Sequence, residues 1–85
     1  MDDTLTKLLG IYESVMETSI DENGFTQGDM IEKFHIDSLV ALQIIVQIEK
    51  CFDYTFENDD EAIEVINSPT TFIKLFHRKL DENAY

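Results

Sequence analysis

The stretch from Ser38 to Phe52 restricts the fold more than any other part of this sequence. Placed on a helix at about 100° per residue, it confines its polar side chains, apart from Glu49, to one narrow arc formed by Gln43, Gln47 and Lys50. Nearly every other position is apolar, and a helix of this kind is either buried or in contact with a partner. Asp37 directly before it predicts an N-cap, because a carboxylate there accepts hydrogen bonds from free backbone N–H groups.

The segment before this helix predicts one helix and one long loop. From Leu5 to Met16 apolar residues recur at steps of three and four, which predicts a first helix with Thr4 or Asp3 as its cap. Residues 18–36 contain two glycines and scattered apolar side chains, and they predict an ordered loop with one short helical turn near 29–33. A loop of this length in a small domain is often functional.

Two start signals follow the apolar helix. Asn58 and Glu61 have the spacing of a capping box, which predicts a short third helix. Ser68 and Pro69 predict the start of a last helix, with proline at its first position. The apolar positions of these helices are Ala62, Ile63, Val65 and Ile66 in the short one and Phe72, Ile73, Phe76 and Leu80 in the last.

No alternation typical of strands and no internal repeat occurs in the sequence. The predicted fold class is therefore all-α: a small four-helix bundle of three longer helices plus one short third helix, with a long loop between helices one and two. At 85 residues the chain predicts a single domain over 1–85.

Charge and cysteine content narrow the classes of function. The chain has 18 acidic and 6 basic residues, a formal charge of -12, so nucleic acid and anionic membranes are not expected as partners. The single cysteine excludes an internal disulfide framework, and no secretory leader opens the sequence, so we expect a cytoplasmic monomer. The longest apolar stretch, Leu39 to Val46, is too short to span a bilayer.

Autonomous chemistry is not indicated. Placing Gly24 at the sixth position of a calcium loop makes Ser19 the first ligand and Met30 the twelfth, so the EF-hand spacing fails. His35 precedes Ser38 by three residues, but the G-x-S-x-G elbow of serine hydrolases is absent. The two histidines and one cysteine lack the spacings of a zinc site. We therefore expect neither a metal nor an enzyme.

The apolar helix is expected to divide its surface between the bundle and a partner. The residues expected to face the bundle are Leu39, Leu42, Ile45, Ile48 and Phe52. The residues expected to form a docking surface are Val40, Gln43, Ile44, Val46, Gln47 and Lys50, unless the apolar ones pack beneath the long loop. Cys51 is expected to be buried; the alternative is an exposed thiol able to form a disulfide.

Asp37-Ser38-Leu39 at the start of an apolar helix, after a long loop and before Glu49-x-x-Phe52, resembles the acyl carrier proteins. The resemblance extends over the whole chain in length, acidity and helix order. It implies that Ser38 is modified with 4'-phosphopantetheine by a separate transferase that uses coenzyme A and magnesium, with Asp37 and Leu39 recognised by that enzyme. Acyl groups would then travel as thioesters between the acyl-loading and acyl-processing enzymes of fatty-acid, polyketide or related specialised biosynthesis.

Two departures from the family pattern bear on partner choice. His35 stands where the family commonly has glycine, and Glu49 is the only carboxylate within a helix that is usually acidic. We therefore expect partners that recognise an apolar, weakly charged helix. The alternatives are a carrier of aminoacyl or other non-fatty units, and an unmodified acidic adaptor that binds partners through the same helix.

Overall fold

Six helices follow one another along residues 3–82, the part of the backbone that this computed structural model describes; side chains are described for residues 3–79. The helices are α1 (Asp3–Met16), α2 (Glu22–Gln27), α3 (Met30–Phe34), α4 (Ser38–Phe52), α5 (Asp59–Asn67) and α6 (Pro69–Glu82). No strand occurs in this range. The predicted all-α class is confirmed, and the described chain contains two helices more than predicted.

Capping signals place the starts of three helices where the sequence predicts them. The Asp37 carboxylate accepts a hydrogen bond from the Val40 backbone N–H at 2.9 Å, which fixes the start of α4. The Asn58 side chain accepts one from the Glu61 N–H at 2.8 Å at the start of α5. Pro69 is the first residue of α6. The starts agree because each depends on side chains within about three residues of the helix end.

The predicted caps of the first helix differ from the structure, and the predicted apolar stripe of the last helix is described only in part. α1 begins at Asp3, so both of its predicted caps, Asp3 and Thr4, lie inside the helix. In α6 the Phe72 side chain is fully buried and Phe76 is half-buried, as the predicted inward stripe requires. Leu80, in the same stripe, lies beyond the described side chains.

The segment predicted as a loop contains α2 and α3. α3 occupies the place of the predicted turn near 29–33, whereas α2 is not predicted, because Gly24 lowers helix propensity inside a six-residue segment. Phe25 of α2 is fully buried, and its ring lies edge-on to Tyr12 at 4.9 Å between centroids. Tertiary packing of one aromatic side chain therefore stabilises a helix that local propensity does not favour.

The core forms between α1 and the last three helices. The Cα radius of gyration is 12.2 Å, close to the value of about 12 Å expected for a compact domain of this length. Tyr12 is fully buried on α1, and its hydroxyl donates a hydrogen bond to the Ile66 carbonyl on α5 at 2.8 Å. Burial raises the pKa of Tyr12, so the hydroxyl stays protonated and remains a donor.

The orientation of α4 differs from the prediction. Ile44 and Ile48 are fully buried, whereas Leu39 is 65% and Leu42 is 56% exposed. The expectation that Leu39 and Leu42 face the bundle is therefore wrong, as is the expectation that Ile44 is available for docking; burial of Ile48 is confirmed. The cause is that the polar arc lies at the centre of the exposed face, so its apolar neighbours are exposed with it.

Cys51 is exposed on the last turn of α4, which corrects the expectation that it is buried. On a helical wheel Cys51 lies about 40° from Gln47, at the edge of the exposed face. The alternative prediction, an accessible thiol, agrees with this position.

An aromatic cluster closes the end of α4 against α5 and α6. Its members are Phe52, Tyr54, Phe56, Phe72 and Phe76, with ring centroids about 5 to 6.5 Å apart. The Tyr54 hydroxyl donates to the Glu61 carboxylate at 2.9 Å. Burial, followed by this hydrogen bond and the nearby acidic charge, raises the pKa of Tyr54 to about 12. None of the described helices is both long and apolar enough to span a bilayer.

Candidate functional site

Ser38 occupies the first residue of α4, and its side chain is exposed. The Asp37 carboxylate beside it accepts a hydrogen bond from the Val40 N–H. This local hydrogen bond fixes the turn that contains Ser38. The N-terminal end of a 15-residue helix carries partial positive charge from unpaired N–H groups and favours a phosphate group there. The local structure therefore presents an accessible hydroxyl at a helix end that favours negative charge.

His35 adopts the backbone conformation that glycine prefers. Its φ of 52° and ψ of 48° lie in the left-handed region, and its N–H donates to the Ile31 carbonyl at the end of α3. Such a conformation costs a non-glycine residue about 1 kcal/mol. The turn before the Asp37-Ser38 pair therefore keeps a shape suited to glycine although the residue is histidine.

A groove of about 460 Å³ begins at Ser38 and runs between α4 and α5, with α3 at one end. We call it the Ser38 groove. Three polar residues lie along it, Asp37, Ser38 and Asp59. The rest of its lining is apolar: Ile31, Ile36, Ala41, Leu42, Ile45, Ala62, Ile63 and Ile66. An apolar chain attached at Ser38 can enter this groove and leave water.

Asn67 holds α3 against α5 and so fixes one wall of the Ser38 groove. Its side-chain oxygen accepts a hydrogen bond from the Ile31 N–H at 3.1 Å. Gly28 lies close by with a φ of 87°, and a Cβ added there would meet the Asn67 carbonyl at 3.6 Å. The sequence gives no local signal for this role, because Asn67 and Ile31 are far apart along the chain.

The predicted docking residues separate into three groups. Gln43, Val46, Gln47 and Lys50 share the exposed face of α4. Val40 is half-buried and borders a different hollow, beside His35 and Met16. Ile44 is buried and takes no part in that face.

The exposed face of α4 also contains apolar residues that the prediction did not place there. Leu42 lies on it, and Ile63 of α5 is 51% exposed across the Ser38 groove. Their signal in the sequence is weak, because a helical pattern of large apolar residues does not distinguish an exposed leucine or isoleucine from one that faces the core. The Glu49 carboxylate accepts a hydrogen bond from the Phe56 N–H at 3.1 Å, so the single carboxylate of α4 is bound to backbone.

Among the described residues, no group of three or more histidine, cysteine or carboxylate side chains is arranged to hold a metal ion. The Ser38 groove combines one hydroxyl, two carboxylates, a helix N-terminus and an apolar lining. No family model, curated protein or solved structure matches this chain at a significant level.

Proposed function

We propose that this chain is an acyl carrier protein whose Ser38 is modified with 4'-phosphopantetheine. The observation that carries the proposal is the exposed Ser38 hydroxyl on the first turn of α4, among the residues that line an apolar groove. The protein is then not an enzyme; it is a substrate and partner of other enzymes.

Modification requires a nucleophilic hydroxyl and a place for a phosphodiester. The Ser38 Oγ forms a bond to the phosphorus next to the pantetheine in coenzyme A, adenosine 3',5'-bisphosphate leaves, and the hydroxyl proton passes to the transferase. The N-terminal end of α4 favours the negative charge that remains at Ser38. When bound, the arm supplies a thiol that holds an acyl group as a thioester.

The Ser38 groove supports an apolar acyl cargo over an aminoacyl one. Its two carboxylates, Asp37 and Asp59, lie with Ser38 along the groove, while its eight remaining residues are apolar. Burying a charged ammonium group among apolar residues is strongly unfavourable, whereas each buried methylene contributes about 0.8 kcal/mol. Fatty-acid, polyketide or related specialised biosynthesis accordingly fits the groove better than the aminoacyl alternative.

The helix arrangement is consistent with a four-helix carrier fold. α1, α4, α5 and α6 correspond to the four predicted helices, and α2 with α3 forms the segment between helices one and two. In this proposal α2 and α3 are loop elements that support the Ser38 groove, and the four other helices form the bundle.

Recognition by partner enzymes would use the surface around Ser38. Asp37 and Leu39 flank the hydroxyl in sequence, and both are exposed to a transferase. Leu42 and Ile63 extend an apolar surface along the groove for acyl-loading and acyl-processing enzymes. Since the exposed face of α4 has no free carboxylate, its contacts with such enzymes would be mainly apolar.

Incubation with coenzyme A and a broad-specificity phosphopantetheinyl transferase, followed by intact mass measurement, tests the proposal. We expect a gain of one phosphopantetheine arm, complete loss of that gain in Ser38→Ala, and full retention in Ser14→Ala, an exposed serine of α1. Absence of any gain with several transferases would contradict the carrier and favour the unmodified adaptor.

A further inference from the structure

A second groove runs along the other side of α4, between α4 and α1. It consists of two adjoining hollows of about 330 and 340 Å³ that share Val15 and Gln47. One hollow extends past Leu42 and Val46, and the other reaches the exposed Cys51. We call the two together the α1–α4 groove. From Leu42 to Cys51 it follows ten residues of α4, or about 14 Å.

The charge of this groove is opposite to that of the chain as a whole. No carboxylate is among its lining residues, and Lys7 lines one end. Lys50 precedes Cys51 in the sequence and is exposed. The start of α1 packs near the end of α4, so Lys7 and Cys51 lie at the same end of the groove. Asp3 lies one turn before Lys7 but does not line the groove. One basic residue therefore lines a groove without carboxylates in a protein of charge -12, and a second is exposed next in sequence to its lining residue Cys51.

The shape of the groove suits a helix. A cleft between two packed helices accepts the apolar face of a third one, with anchors at helical spacing. Gly10 lies on α1 in this cleft, and a Cβ added there would meet nothing within 4 Å. A partner backbone can thus approach α1 closely at Gly10, next to the half-buried Ile11.

We propose that the α1–α4 groove binds an amphipathic helix of a partner protein, with carboxylates of that helix against Lys7 and Lys50. Apolar side chains of the helix occupy the space between Val15 and Val46. A second copy of this chain is not the occupant, because two molecules of charge -12 repel each other. An anionic membrane is excluded by the same repulsion.

This site leaves Ser38 accessible. Ser38 is not among the residues that line the α1–α4 groove, and the two grooves meet at Leu42, which lines both. A helix that extends from Cys51 to Leu42 therefore leaves the hydroxyl uncovered. The groove is a tethering surface in this inference, able to hold the chain near a partner while another protein acts at Ser38. The inference does not depend on modification of Ser38.

Binding of two synthetic helical peptides to the unmodified chain tests the proposal. Both peptides are stapled helices of about four turns with the same leucine stripe; one has glutamates at one end and the other has lysines there. We expect the glutamate peptide to bind about tenfold more tightly by fluorescence anisotropy, with the preference reversed in the Lys7→Glu, Lys50→Glu double variant. Amide shifts in ¹⁵N spectra should concentrate at Gly10, Val15, Val46 and Cys51.

A matched pair of glycine substitutions locates the bound peptide. Gly10→Leu fills the groove and should weaken binding of the glutamate peptide about tenfold, by steric exclusion from the cleft. Gly24→Leu is the control, because an added Cβ also meets nothing within 4 Å there and the position lies on α2. Equal effects of the two substitutions, equal affinity for both peptides, shifts confined to the Ser38 side, or no binding at millimolar concentration would overturn the proposal.

Discussion

α4 has a groove on each side, and the two grooves differ in charge and in chemistry. The Ser38 groove has a nucleophilic hydroxyl and two carboxylates among apolar residues, whereas the α1–α4 groove has no carboxylate among its lining residues and has Lys7 at one end. One helix can serve both because only a narrow sector of it, at Ile44 and Ile48, is fully buried. The comparison teaches that an apolar excess on a helix can supply two surfaces, which here share Leu42.

The largest expected effect tests the sector of α4 on which both grooves depend. Ile44→Ala removes a fully buried side chain and should lower the free energy of unfolding by about 2 to 4 kcal/mol. Val46→Ala, on the exposed face, should change it by less than about 0.5 kcal/mol. Urea denaturation measures both. Comparable losses would mean that α4 is rotated and that neither groove is assigned correctly.

The next effect distinguishes the grooves by their response to cargo. If the Ser38 groove shelters an acyl chain, an octanoyl thioester should raise the melting temperature of the modified protein relative to an acetyl thioester. Burial of about three methylenes contributes about 2 kcal/mol, which corresponds to a rise of about 10 °C in a domain of this size. Thermal unfolding followed by circular dichroism measures the shift.

The control for this effect lies in the other groove. Gly10→Leu alters only the α1–α4 groove and should leave the gain from the octanoyl chain unchanged. Equal melting temperatures for the octanoyl and acetyl forms would contradict an acyl-binding role of the Ser38 groove.

The smallest effect concerns the turn that leads into the Ser38 groove. At His35, φ is 52°, so His35→Gly relieves strain but adds entropy to the unfolded chain, and stability should change by less than about 0.5 kcal/mol. His35→Val should cost about 1 to 2 kcal/mol, because a branched side chain is poorly tolerated at positive φ.

Glu32→Val is the matched control for the turn. Glu32 is exposed in α3 and does not have a positive φ, so this substitution should cost clearly less than His35→Val in urea denaturation. If the two valine variants were equally stable, the left-handed turn would not be a constraint on the site.

Much of the candidate site was predictable because its signals are local. Asp37 caps α4, and Ser38 is its exposed first residue, which follows from residues adjacent in sequence. The Ser38 groove was not predictable to the same degree. Its walls combine Ile31, Ala41 and Ile66 from three helices, and the hydrogen bond from Ile31 to Asn67 joins residues that only folding brings together.

α2 illustrates the same limit in the fold. Its six residues include Gly24 and would not form a stable helix alone. Packing of Phe25 against Tyr12 stabilises α2 in the folded protein. A signal of this kind depends on a partner in another helix and is invisible within the segment itself.

By itself the sequence determined the all-α class and where α4, α5 and α6 begin, because caps and a first-turn proline act over a few residues. Only the tertiary structure decided which sector of α4 is buried and that Cys51 is exposed. The physical reason is that a helix apolar nearly all round has no strong preference of its own for one face. The positions of α1 and α5 select that face, and with it the two grooves.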